Sequence, residues 1–132
     1  MATTTATITL SSSDLLTDNL SLSATTTLYK GGTTATGLEQ VNYHRAIIPT
    51  GTNFDLIPES DALKDNSNYV YIINKNTDVT HYVIISINSE PVGRLYAGDW
   101  AFFPWEANAD TNDIKIDPSA DNMTLEYMLI YE

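Results

Sequence analysis

Tyr69-Val70-Tyr71-Ile72-Ile73 and Tyr82-Val83-Ile84-Ile85-Ser86-Ile87, separated by the polar stretch Lys75-Asn76-Thr77-Asp78, decide the fold class. Both runs are short and rich in β-branched and aromatic residues, the composition of strands. The polar stretch reads as the loop of a hairpin between Tyr69–Asn74 and His81–Ile87. In each run, alternate positions on both faces are apolar, whereas a lone two-layer sandwich exposes one face of every strand to water. The outward set therefore needs a cover. Two covers are open: the protein's own loops, such as Trp100–Trp105, or a neighbouring subunit. The uncharged run Val83–Ile87 would invite aggregation on an exposed edge, so it belongs inside a sheet or at a subunit contact.

The same period of two runs outward along the chain. Ala6, Ile8 and Leu10 alternate with Thr7 and Thr9, and Leu20, Leu22, Ala24, Thr26 and Leu28 alternate with Ser21, Ser23, Thr25 and Thr27. Further strands are predicted at Tyr43–Pro49, Phe54–Ile57, Val92–Tyr96, Trp100–Phe103, Ile114–Ile116 and Met123–Tyr131. Gly31-Gly32, Gly37 and Ala97-Gly98-Asp99 mark turns, and Pro104 ends a strand. Ser11-Ser12-Ser13-Asp14 predicts a cap for one short helical turn over 14–18, and Pro58–Lys64 predicts another. About nine or ten short, mostly antiparallel strands without a long helix predict an all-β chain, a β-sandwich of jelly-roll-like form. A single domain over 1–132 is expected, with residues 1–10 as an extended N-terminal arm or edge strand.

Composition limits the function. A chain of 132 residues buries roughly two-thirds of its unfolded surface, so it needs no disulfide or metal to fold. It has no cysteine, which removes thiolate metal sites and thiol nucleophiles. Seventeen acidic residues against six basic ones give a net charge of −11, the wrong sign for releasing counterions from nucleic acid. Met1–Thr5 lacks the basic and long apolar parts of a signal peptide, and no run approaches membrane-spanning length. The expectation is a protein made in the cytoplasm, with no nucleic-acid or membrane partner. The sequons Asn19-Leu20-Ser21 and Asn122-Met123-Thr124 then read as chance matches.

The inventory for catalysis is thin. His44 and His81 both fall inside predicted strands, and no Gly-x-Ser-x-Gly elbow or glycine-rich phosphate loop is present. Asp110, Asp113, Asp117 and Asp121 crowd one stretch, but their spacing is not that of an EF-hand, and they read as solvated loop carboxylates. Asp99 and Glu106 bracket Trp100 and Trp105, the one segment with the ingredients of a sugar site. Strand parity assigns Trp100 to the core or a subunit contact and leaves Trp105, past the proline, as the surface aromatic. No enzyme activity, metal or cofactor is expected.

Tyr69–Asp78, then Arg94-Leu95-Tyr96-Ala97-Gly98-Asp99-Trp100-Ala101-Phe102-Phe103-Pro104, then Glu126-Tyr127-Met128-Leu129, form a pattern over roughly residues 5–131. It resembles small virion proteins of tailed bacteriophages, notably those infecting marine bacteria and cyanobacteria. The Thr-rich start with its Ser-Ser-Asp-Leu-Leu turn is similar too. The resemblance implies a β-sandwich located in the virion, most directly a capsid decoration or cement protein that binds the major capsid protein or other virion proteins. A tail, baseplate or fibre component is the alternative, and a carbohydrate- or receptor-binding module using Trp105 is the alternative of another class. A homo-oligomer is expected, with a trimer favoured. Its interface is expected to draw on Ile8, Leu10, Tyr69, Tyr71, Tyr82, Ile84, Trp100, Trp105 and Tyr127.

Overall fold

The computed structural model describes residues 3–51, 53–58, 66–107 and 112–132. Among these the chain is all β, with no helix long and apolar enough to cross a membrane. Ten strands follow in order: β1 Thr5–Ser12, β2 Leu20–Thr27, β3 Gln40–Ile48, β4 Phe54–Ile57, β5 Asn68–Asn74, β6 Tyr82–Ile87, β7 Glu90–Tyr96, β8 Trp100–Pro104, β9 Ile114–Pro118 and β10 Met123–Tyr131. They fall into two compact units, Met1–Glu39 and Gln40–Glu132.

The second unit is a sandwich of two four-stranded antiparallel sheets, ordered β3-β10-β5-β8 and β4-β9-β6-β7. The pairs β3 with β10, β4 with β9, β5 with β8 and β6 with β7 are nested. The chain from Gln40 onward is thus one long hairpin, closed between β6 and β7 and rolled so that successive pairs fall alternately into the two sheets. That is a jelly roll. The closing turn is Asn88-Ser89, both at positive φ, the backbone a two-residue type I′ hairpin requires.

The hairpin expected between Tyr69–Asn74 and His81–Ile87 does not form. β5 and β6 lie in different sheets, and the segment 75–81 crosses between them. The Asn76 side chain stabilises this crossing by imitating a strand residue: its Oδ1 accepts from Thr124 N at 3.1 Å and its Nδ2 donates to Thr124 O at 3.2 Å. His81 correspondingly lies outside the strand, 3.4 Å from Asp78.

Alternation along the strands fills the space between the sheets. Val70, Ile72, Leu125 and Leu129 from one sheet meet Val83, Ile85, Ile114 and Ile116 from the other in a single buried cluster. Asn74, fully buried, donates to Leu95 O of the opposite sheet at 3.0 Å and accepts from Asn76 N at 3.0 Å.

In the first unit β1 and β2 form a two-stranded sheet of their own, in register from Thr5↔Thr27 to Ser12↔Leu20. Residues 1–10, expected as an arm or edge strand, supply most of β1. The hairpin's ends are tied by Leu28 N to Thr4 O and Leu38 N to Leu28 O. The helical turn expected over 14–18 is a series of bends. Ser12 Oγ does accept from Leu15 N at 3.1 Å, but Leu15 and Leu16 stay exposed, and no packed apolar face extends the turn into a helix. The turn expected over Pro58–Lys64 lies, past Pro58, outside the described residues.

Candidate docking face

The two sheets present different outer faces. On β4-β9-β6-β7 the outward positions are largely charged or paired: Asp55 opposes Lys115 at 3.7 Å, Ile84 opposes Asp117 and Arg94, and Arg94 sits 3.9 Å above the Tyr82 ring. Tyr82 in turn packs against Tyr96, ring centroids 5.4 Å apart. Here Tyr82 and Ile84 are covered by their own neighbours.

On β3-β10-β5-β8 the outward rows are apolar and aromatic. Register places Val41, Ile130, Tyr69 and Pro104 in one row, then Tyr43, Met128, Tyr71 and Phe102 in the next. A third row runs Arg45, Glu126, Ile73 and Trp100, and Ile47 and Thr124 end the face. Tyr69 stacks on Phe102 at 5.6 Å, and Tyr71 tilts against Trp100 at 6.3 Å. Trp100, Tyr43, Val41 and Ile47 are 53–62 % exposed. The β8 aromatics therefore widen this face from within the same sheet instead of covering it as a second layer.

One polar group sits within it. Glu126 accepts from Tyr43 Oη at 2.6 Å, from Arg45 Nη2 at 2.6 Å and from Arg45 Nε at 3.1 Å. The Tyr43 hydroxyl, and then the guanidinium, hold the Glu126 carboxyl below the ordinary carboxylate range. The face as a whole is electrically balanced on a chain of charge −11. Aromatic residues, Met and Arg with few unpaired charges are the composition of an interface core.

The expected interface residues scatter. Tyr69, Tyr71 and Trp100 gather on this face, Tyr82 and Ile84 lie on the opposite one, and Ile8 and Leu10 are on the hairpin. Tyr127 points inward and is buried, beside the His44 ring at 5.3 Å. Of the two readings for Trp100, core or subunit contact, its exposure excludes the core, and the surface position expected for Trp105 is overturned. Trp105 is 3 % exposed, with its indole N–H donating to Asn112 O at 2.9 Å, while Trp100 stands at the surface. The reason is the end of β8: at Pro104 the chain turns in, and Trp105 N bonds to Asn68 O, carrying the indole into the core. Trp105 and Tyr127 are therefore not available to a partner, and the glycan-binding reading loses the residue it was built on. Val41, Tyr43, Ile47 and Arg45 on β3 were missed, because edge position cannot be read from local alternation.

Metal ligation finds no focus among the described residues. No three His, Cys, Asp or Glu side chains come together as ligands. Asp117 accepts from Asn53 N, and Asp121 accepts from Thr50 N at 2.8 Å, so both act on turns, while Asp110 lies outside the described residues. No family model matches the chain, and no curated protein matches it.

Proposed function

We propose that this chain is a structural, protein-binding subunit of a bacteriophage particle, of the capsid decoration or cement class. The observation that carries the binding part is the apolar, charge-balanced outer face of β3-β10-β5-β8, with Trp100 and Tyr43 more than half exposed. Contiguous apolar surface of this kind on a polar protein marks a protein contact. The assignment to a virion rests on the sequence pattern over roughly residues 5–131. The partners are the major capsid protein or other virion proteins, and further copies of the chain.

The test is co-sedimentation of the purified protein with phage heads lacking it. Saturable binding that Trp100→Lys abolishes, in a variant with unchanged circular dichroism, is the expected result. Binding to no virion component, or binding indifferent to Trp100, would overturn the reading.

A further inference from the structure

A sandwich has four edge strands, and three of these carry devices that stop another strand from pairing. β4 has only four residues and a register shift, β7 carries Pro91, Gly93 and a bulge, and β8 ends in Pro104 after five residues. Short length, bulges and proline are how natural sheets blunt their edges. β3 has none of these. It is nine residues long and pairs with β10 at every position from Gln40 to Ile48 without a bulge. Its exposed side chains Val41, Tyr43 and Ile47 are large and apolar. The strand has no acidic residue on a chain that carries seventeen, so the chain's excess negative charge does not oppose pairing through its own side chains.

We infer that β3 pairs antiparallel with β3 of a second copy, about a two-fold axis at His44. The strand is self-complementary in that register. With His44 opposite its own equivalent, Val41 falls opposite the partner copy's Ile47, and Tyr43 opposite its Arg45, on the same outer side. The guanidinium that holds Glu126 then also meets an aromatic neighbour across the axis. The result is one continuous eight-stranded sheet whose two docking faces lie side by side. Paired faces on one particle surface multiply a weak contact through effective concentration. The inference rests on the chain being an assembly subunit and goes beyond that reading by naming the edge, the partner and the symmetry. An isologous contact closes as a dimer, not as a trimer.

Two variants test it in sedimentation velocity. Val41→Lys with Ile47→Lys places on the edge the residue nature uses to guard one, at positions already exposed. It is expected to weaken association by about tenfold or more while circular dichroism and melting stay unchanged. His44→Cys supplies the only thiol in the chain, and mild oxidation is expected to link two copies covalently. A wild-type monomer at about 100 µM (well above a micromolar Kd), a trimer, a dimer indifferent to both lysines, or a dimer without the cross-link would each overturn the inference. A monomer that still binds phage heads overturns the edge pairing alone. A dimer that binds no virion component overturns the virion assignment alone.

Discussion

Asn74 lies fully inside the sandwich, and its amide links β5 of one sheet to the main chain of β7 in the other. Removing it leaves Leu95 O short of a partner in the buried interior and takes one from the part-buried Asn76 N, so Asn74→Ala is expected to cost about 1–3 kcal/mol in urea unfolding. The two tryptophans make the same argument through packing. Trp105→Ala opens a core cavity and is expected to cost about 3–5 kcal/mol, whereas Trp100→Ala removes surface packing and should cost under about 1 kcal/mol. Single-tryptophan variants check the placement independently. Trp105 alone should emit in the blue and resist iodide, and Trp100 alone should emit in the red and be quenched; the reverse would restore Trp105 to the surface. Parity within Trp100–Phe103 was legible in the sequence. Which side faces inward was not, because that depends on the sheet β8 joins and on the inward bend after Pro104.

At the level of elements, the period-two pattern located ten strands, and Met123–Tyr131 was read with both its limits. What the pattern could not supply was partnership. β5 and β6 look like a hairpin because they are consecutive, yet the pairing that closes the roll is at Asn88-Ser89, where asparagine tolerates positive φ and serine does not signal it. Ser89, at φ 61, holds the left-handed conformation at a cost that glycine escapes. Ser89→Gly is therefore expected to stabilise the fold by roughly 0.5–1 kcal/mol, read as a rise in the urea midpoint at unchanged slope. Across β3 and β10, Glu126 is ionised more readily in the folded chain than in the unfolded one, through Tyr43 and then Arg45. Its contribution to stability is thus present in full above the unfolded value of about 4.3, and is lost as the pH falls from there through the lowered folded value. Thermal melts from pH 7 to pH 3 should show the wild-type advantage over Glu126→Gln shrinking across that window. A constant difference would mean that the group does not titrate in this way.

At the scale of the molecule, one sheet sets most of its outward residues among charges, with Val92 and Tyr96 on β7 left exposed, and the other sheet's outward residues are apolar in row after row. The sequence signalled this surplus through the double-sided runs Tyr69–Ile73 and Tyr82–Ile87. It assigned the surplus to both sheets alike because the pairing of Arg94 with Tyr82 is a tertiary fact. The N-terminal hairpin carries a smaller surplus, with Ile8, Leu10 and Leu22 nearly half exposed on one face of β1 and β2. The central claim is that assembly begins at the open edge of β3. Hydrogen exchange followed by mass spectrometry, at low and high protein concentration, tests it most directly. Amides within Gln40–Ile48 should gain protection as concentration rises, while those of β7, guarded by Pro91 and its bulge, should not change. Exchange in β3 that is indifferent to concentration would contradict the account.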